Sequence, residues 1–252
     1  MKLELALAAV LLTALTGCGG SGAGTLRVGT LSDSKPNAYS EGGKFTGFDN
    51  ELLRAIADRK GLKLEFASTD FSTLLSQVAN GQFDIGSAGI SQTDARKKTV
   101  DFSNGYNYQA LGIEAAPGSP VTDENSLAGK RIGVVQGTIS DTWLTATAPA
   151  AQVTRFPNDA AVVSALNAGS LDGAVFDKAS AEQYAAENPG LEVTKSLLTN
   201  VPHGYAVRKG NGQVLSQIND GLRQVIADGT WLRLHRHFEP NEEVPTEFKG
   251  NG

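Results

Sequence analysis

The 252-residue chain predicts an α/β protein made of two similarly built lobes. Two observations carry this reading. Short β-rich runs alternate with amphipathic helices, the pattern of parallel α/β units. One stretch of that pattern also occurs twice at the same spacing, which points to an internal duplication. The length allows one large domain or two medium lobes.

The first series begins with LRVGTL (Leu26–Leu31), read as a strand. Asp49 reads as the N-cap of a helix running to Lys60. Leu52, Leu53, Ile56 and Ala57 lie on one face of it, and Gly61 is its stop. LKLEF (Leu62–Phe66) alternates with period two, as a strand does. A helix from about Ser72 carries Leu74, Leu75 and Val78 and stops at Gly81. FDIGSAGI (Phe83–Ile90) reads as a buried strand.

The second series starts near Ser126. RIGVVQG (Arg131–Gly137) is a strand ending in a turn, and QVTRF (Gln152–Phe156) is another strand. A helix over Asp159–Asn167 stops at Gly169, and LDGAVFD (Leu171–Asp177) is a third strand. When Ser76-Gln77-Val78 is set against Ser164-Ala165-Leu166, Gly81 falls on Gly169, Phe83 on Leu171 and Asp84 on Asp172. Any α/β protein repeats helix, glycine and strand. The shared Gly and Asp registers favour duplication over that weaker explanation.

YAVRKGNG (Tyr205–Gly212) reads as a strand and turn. Val214, Leu215, Ile218, Leu222, Val225 and Ile226 then form one face of a long helix that stops at Gly229. Thr230 starts a last helix through Phe238. The segment from Glu239 onward reads as polar and disordered. These elements give lobe 1 as 26–111 with 205–240, lobe 2 as 112–204, and a polar tail over 241–252. The chain then crosses between lobes near Leu111–Ala115 and near Pro202–Tyr205. Two crossings make a hinge and leave a cleft at the strand ends.

The composition is ordinary for a globular protein, with 40% hydrophobic and 19% charged residues, which excludes wholesale disorder, collagen and a disulfide-stapled miniprotein. The net charge is −5 with no basic block, a poor match to nucleic acid. The single cysteine can form no internal bridge and no zinc cluster. At the N-terminus, the apolar run Leu5–Leu15 behind Lys2 is too short for a mature transmembrane helix. It reads as the core of a secretory signal peptide over 1–17. Leu15-Thr16-Gly17-Cys18 resembles the lipobox of bacterial lipoproteins, so Cys18 is the expected lipidation site. The alternative is a plain signal peptide with a free or discarded thiol. GGSGAGT (Gly19–Thr25) reads as a flexible tether. Anchor, tether and body place the protein outside the cytoplasm at a membrane surface.

Catalytic motifs are nearly absent: there is no GxSxG elbow, P-loop, HExxH or GxGxxG. His235 and His237 are two apart on a predicted helix and point apart, so they read as surface or packing residues. His203 is given no role. The informative segment is AGISQTDARKKTVDFSNGY (Ala88–Tyr106). Thr93 reads as the N-cap of a short helix beginning Asp94-Ala95-Arg96. Arg96 in that first turn is disfavoured by the helix dipole, and a nearby carboxylate would relieve this. Its planar fork suits a ligand carboxylate. The alternative is a solvated Arg pairing with Asp101. Asp177 falls opposite Gly89 in the duplication, so both sites should face the cleft. Asp177 offers an anion for an ammonium group, or it caps a helix starting near Lys178, or both.

Several segments together resemble the polar amino-acid family (family 3) of ABC-transporter solute-binding proteins. They are Gly47–Leu52, Asp70-Phe71, Gly89–Arg96, Val100–Ser103, Leu127–Lys130, Gly133–Thr138 and Ala227–Thr230, in order between about Leu26 and Phe238. The resemblance implies the two-lobed periplasmic-binding-protein fold of the second type, with a two-strand hinge. It implies that Arg96 takes the ligand's α-carboxylate, assisted by the backbone N–H of Ser91 and of Thr138 or Ile139. Asp177, the Gly89 carbonyl and the Ser91 hydroxyl would take the α-ammonium. Phe71 would pack on the ligand side chain, and Ala88 belongs to the same binding segment.

The family's Pro-Phe in the first loop is replaced here by Ser34-Lys35-Pro36-Asn37. Its acidic residue after the first strand is Leu31, and its small residue after Gly-Thr is Ile139. The loss of the acid counts against lysine or arginine as ligand, because a buried cation would lack its partner.

The expected function is therefore capture of a zwitterionic amino acid or close analogue in an interlobe cleft and its delivery to the membrane subunits of an ABC permease. The expected form is a lipid-anchored, extracytoplasmic monomer with no cofactor, metal or nucleic acid and no enzymatic activity. One rival is a cyclohexadienyl or arogenate dehydratase-like enzyme on the same fold, with Glu114, Asp177 and Glu182 as available carboxylates. A second rival is the ligand-binding component of a sensor.

Overall fold

The computed structural model describes residues 24–249. The leader over 1–17, Cys18 and most of the tether lie outside the described residues. The chain begins with β1 (Leu26–Thr30) and three short strands, β2 (Asp33–Ser34), β3 (Ala38–Glu41) and β4 (Lys44–Thr46). Next come α1 (Phe48–Lys60), β5 (Leu64–Ser68), α2 (Phe71–Ala79), β6 (Ile85–Ser87), α3 (Asp94–Lys97) and β7 (Val100–Phe102). It continues through β8 (Asn107–Ala115), β9 (Arg131–Val135), α4 (Ile139–Thr147), β10 (Gln152–Phe156), α5 (Asp159–Asn167), β11 (Gly173–Asp177) and α6 (Lys178–Glu187). It closes with β12 (Glu192–His203), β13 (Ala206–Arg208), α7 (Gly212–Ala227) and α8 (Thr230–Phe238).

Two five-stranded sheets form two lobes of the same build. The first has the order β5-β1-β6-β13-β7 and the second β10-β9-β11-β8-β12. In each, the first three strands are mutually parallel and the fourth pairs antiparallel with both of its neighbours. The first sheet is lobe 1 and the second lobe 2. β8 carries the chain into lobe 2 and joins the second sheet from Asn107 on, while β12 leads it back. Tyr106 N–H donates to the His203 carbonyl (3.1 Å) where these two connections run side by side. The faces of the lobe 1 sheet are covered by α2 on one side and by α1, α7 and α8 on the other. Those three helices share a core that includes Leu52, Ile56, Ile218 and Trp231. A second core, including Leu111, Ile132 and Leu144, lies in lobe 2.

The repeated Gly and Asp of the sequence close the same lock in both lobes. In lobe 1 the Arg27 backbone N–H donates to the Asp84 carboxylate (2.8 Å), and Arg27 Nη2 donates to the Gly81 carbonyl (2.7 Å). Asp84 N–H returns a bond to the Arg27 carbonyl (2.8 Å). In lobe 2 Arg131 N–H donates to Asp172 (2.8 Å), Arg131 Nη2 donates to the Gly169 carbonyl (3.2 Å), and Asp172 N–H donates to the Arg131 carbonyl (2.8 Å).

Two residues after each arginine comes a glycine, Gly29 on β1 and Gly133 on β9. A Cβ at Gly29 would overlap Phe83 and Leu74, and one at Gly133 would overlap Leu171 and Val162. Gly29→Ala and Gly133→Ala are therefore each expected to destabilise by about 1–3 kcal/mol through overpacking. Urea unfolding of the two variants checks this, and a neutral result for either would show that its lobe can repack.

Several elements differ from the sequence reading for identifiable reasons. Asp49 does not cap α1. The N-cap is Gly47 at φ 104°, and the N–H groups of Phe48 and Asp49 donate to the carbonyls of Pro36 (2.9 Å) and Asn37 (3.0 Å). The loop thus supplies the cap, and Asp49 is buried within the first turn. The strand expected at Leu62–Phe66 lies at Leu64–Ser68, because Leu62 N–H closes the end of α1 on the Ala57 carbonyl (2.9 Å). The strand expected to reach Ile90 ends at Ser87, since Gly89 turns the backbone at φ 54°.

The segment after α8 is ordered through Lys249 rather than disordered. Phe248 is buried against Trp231 and Tyr108 (ring centroids 5.0 and 6.0 Å), and Glu239 accepts from Asn107 Nδ2 (3.0 Å). Its apolar residues, Val244 and Phe248, complete the core under α8.

Candidate functional site

The carboxyl ends of β1, β6, β9 and β11 face one another across the gap between the lobes. Phe71, Ala88, Gly89, Ser91 and Arg96 from lobe 1 and Thr138, Ile139 and Asp177 from lobe 2 line one cavity there. This cavity holds about 40 Å³, room for little more than one or two water molecules.

Arg96 sits on the short helix that the sequence predicts. Thr93 is the N-cap, and its Oγ1 accepts the Arg96 backbone N–H (3.3 Å). The guanidinium spans the cleft. Nη1 donates to the Ser91 carbonyl (2.9 Å) in its own lobe and Nη2 to the Gly137 carbonyl (3.0 Å) in the other. Its carbon lies 5.1 Å from the Phe71 ring centroid. Burial lowers its pKa to about 10, partly opposed by the Asp177 carboxylate, so it stays charged at neutral pH. The alternative partner, Asp101, is engaged elsewhere, with Lys209 (3.3 Å) and the Gly210 N–H (2.9 Å).

Asp177 ends β11 and stands at the N-cap position of α6, but its side chain makes no cap hydrogen bond. It faces the cavity instead. Thr138 caps α4: its Oγ1 accepts the Asp141 N–H (3.2 Å) and donates to the Val135 carbonyl (2.8 Å). The Thr138 hydroxyl is thereby committed, and the cavity meets the start of α4, where backbone N–H groups favour an anion.

Gly89 needs its positive φ. Behind it lie the Asp49 carboxylate, His203 and Asn37, each about 3.5 Å from where a Cβ would be. Asp49 is fully buried, and burial raises its pKa to about 7 against the opposing pull of Tyr106 and the Gly89 N–H. His203, buried and near the Arg96 charge, is pushed down to about 3 and stays neutral. His235 is buried and stacked on Trp231 (4.7 Å), whereas His237 is exposed, so their side chains do point apart. Among the described residues no cluster of His, Cys, Asp or Glu could hold a metal ion.

The cavity also takes in residues that the sequence reading passed over. Ser180, in the first turn of α6, lines it with a buried hydroxyl that has no hydrogen-bond partner among the described residues. Asp159, the first residue of α5, lines it from lobe 2, and Tyr184 Oη donates to its carboxylate (2.7 Å). Burial raises Asp159 to about 7. A usable signal existed for Asp159: the register that sets Gly81 on Gly169 sets Phe71 on Asp159, and each opens a nine-residue helix. The two carboxylates weighed as catalytic beside Asp177 do not line the cavity. Glu114 is buried within the lobe 2 sheet, and Glu182 pairs with Lys178 (2.6 Å).

At the rim the lobes touch through Lys35 and Glu187 (2.8 Å), and through Asp33, whose carboxylate accepts from Ala160 N–H (2.9 Å) and whose backbone carbonyl lies 2.9 Å from Tyr184 Oη. Lys35 and Glu187 are both more than a third exposed, so Lys35→Ala is expected to change ligand affinity by no more than about threefold. Calorimetric titration of that variant is the check, and a larger loss would assign the rim a role in closure.

The sequence profile of the bacterial extracellular solute-binding proteins, family 3, matches residues 26–240. A probable histidine-binding protein of Campylobacter jejuni is 29% identical over 219 residues, covering 85% of each chain. The ABC transporter glutamine-binding protein of Bacillus subtilis is 30% identical over 202 residues, 78% of this chain and 73% of that one. Among solved structures, an ancestral arginine-binding protein bound to arginine superposes with a TM-score of 0.83 at 34% identity, over 86% of this chain and 98% of that one.

Proposed function

This chain belongs to the bacterial extracellular solute-binding proteins of family 3, and on that premise we propose that it captures an amino acid between its lobes and delivers it to an ABC importer. The observation that carries this reading is the meeting, in one cavity, of a guanidinium from lobe 1 and a carboxylate from lobe 2. A zwitterion has the opposite pair of poles. Arg96 takes the α-carboxylate, assisted by the Ser91 N–H and by the N–H groups of Thr138 or Ile139 at the start of α4. Asp177, the Gly89 carbonyl and the Ser91 hydroxyl take the α-ammonium. Phe71 and Ala88 pack against the rest of the ligand.

The space in this cavity is smaller than an amino acid, so entry requires the lobes to part where β8 and β12 meet lobe 1. The ligand then favours closure by its differential affinity for the closed form. The closed form docks on the membrane subunits of the permease. Lipidation of Cys18 keeps the protein at the membrane surface, and it works as a monomer without cofactor or metal.

A thermal-shift screen of residues 19–252 against the twenty amino acids tests the reading. A ligand at 100 times its dissociation constant adds about 2.7 kcal/mol of stability. A raised melting temperature with at least one amino acid is the expected result. The absence of a shift with all of them, and with related metabolites, would end the proposal. Incubation with prephenate separates binding from dehydratase chemistry: no phenylpyruvate is expected.

A further inference from the structure

Resting on the amino-acid reading of the cleft, we infer that Asp159 is a specificity residue and that the ligand it selects is an amino acid with a cationic side chain. The argument is one of charge placed in a confined space. Three ionisable side chains line the cavity: Arg96, Asp177 and Asp159. A zwitterion satisfies the first two and leaves the third carboxylate without a counter-charge. The Asp159 carboxylate accepts from Tyr184 Oη (2.7 Å), a neutral donor, and no Lys or Arg makes a salt bridge to it among the described residues. An ammonium or guanidinium at the far end of the ligand supplies the missing charge.

The surroundings of Asp159 extend the same sign. The adjoining pocket is lined by Asp159, Asp33 and Asp70, with no basic side chain among its lining residues. Asp33 is engaged with the Ala160 N–H at the start of α5 (2.9 Å). Asp70 stands at the N-cap position of α2, yet its side chain makes no cap hydrogen bond. The negative end of the cleft therefore lies beyond Phe71, away from Arg96. An extended ligand held by its backbone at Arg96 and Asp177 would direct its side chain there.

This reverses the conclusion drawn from Leu31. The acid absent from the end of the first strand is supplied across the cleft, by the pseudo-equivalent of Phe71 in the other lobe. The duplication explains how: the same offset takes Phe71 to Asp159 and Arg96 to Tyr184, so one lobe presents an aromatic ring and a cation where the other presents an acid and a phenol.

Asp159 also lies in the first turn of α5, where an acid favours the helix dipole, and that role alone would predict a change in stability but none in selectivity. Titration calorimetry of wild-type protein and Asp159→Asn, with L-arginine and L-lysine against their neutral counterparts L-citrulline and L-norleucine, distinguishes the two. Asparagine keeps the shape and can still accept from Tyr184, and the melting temperature of the ligand-free variant serves as the fold control. The expected result is a cationic preference of at least about tenfold in the wild type, lost in Asp159→Asn while the neutral analogue keeps its affinity. Equal affinity for charged and neutral ligands in the wild type overturns the inference and leaves amino-acid binding standing. So does an equal loss for both in the variant. If no amino acid of any kind binds the wild type, the reading of the cleft itself fails and the inference falls with it.

Discussion

Replacing Arg96 with alanine is expected to lower amino-acid affinity by at least about a hundredfold while leaving the fold in place. Removing one partner of a buried charge pair costs about 3–5 kcal/mol, because the other charge is left buried and alone, and every 1.4 kcal/mol is roughly tenfold in affinity. The fold should survive because, among the described residues, the guanidinium bonds only to the carbonyls of Ser91 and Gly137 and packs on Phe71 at the cavity. It belongs to neither lobe's core. Its bond to Gly137 also links the lobes, so the ligand-free variant should hold them together less firmly. Calorimetric titration and circular dichroism of the variant read the two effects separately. Unchanged affinity would remove Arg96 from the site.

The second large effect concerns stability against pH. Glu114 is fully buried on β8, and neither carboxylate oxygen has a hydrogen-bond partner among the described residues. Burial, with the nearby Asp159 charge, raises its pKa to about 8. Burial likewise raises Glu239 to about 8 and Asp49 to about 7. In the unfolded chain these groups titrate near the ordinary carboxylate range of about 4. Because the folded form holds the proton more tightly, their contribution to stability is complete below that range. It is lost as pH rises through 7 to 8.

The protein is therefore expected to melt at a higher temperature at pH 5 than at pH 8.5. Glu114→Gln, which has nothing to ionise, should gain stability of the order of 3 kcal/mol at pH 8.5 and little at pH 5. Differential scanning calorimetry of both proteins at the two pH values decides it. A glutamine variant that loses as much stability at pH 8.5 as at pH 5 would show that the carboxylate is a needed partner and not a strained one. The opposite sign operates at the acid limb. Asp172, held down to about 2 by the Arg131 side chain and backbone N–H, contributes above its ordinary range and loses that contribution as pH falls toward 2.

The parts of this molecule that could be read from sequence are those whose signal is local. The helix over Asp159–Asn167 and the strand over Gln152–Phe156 coincide with α5 and β10. Their period, their turn residues and their caps all lie within a few residues of one another. The short helix that carries Arg96 is legible for the same reason, since Thr93 and Asp94 announce it. What escaped depends on distant partners. The cap of α1 is supplied by carbonyls of Pro36 and Asn37, and no rule on Asp49 alone could reveal that.

The small sheet of β2, β3 and β4 has strands of two, four and three residues, too short for alternation to register. Phe248 lies among polar residues, so only its packing on Trp231 distinguishes it from a disordered tail. Asp159 is the instructive case. The duplication had already placed it opposite Phe71, but an acid at the start of a helix has a sufficient local explanation, and that explanation hid its place in the cleft.

The account rests on a zwitterion held at opposite poles by two lobes. A crystal structure grown with whichever amino acid raises the melting temperature tests this most directly. The expected density has the ligand carboxylate in a paired contact with the Arg96 guanidinium and the ligand ammonium within hydrogen-bond distance of the Asp177 carboxylate, with both lobes contributing. A ligand seated outside that cavity, or held by one lobe with Asp177 facing away from it, would contradict the account.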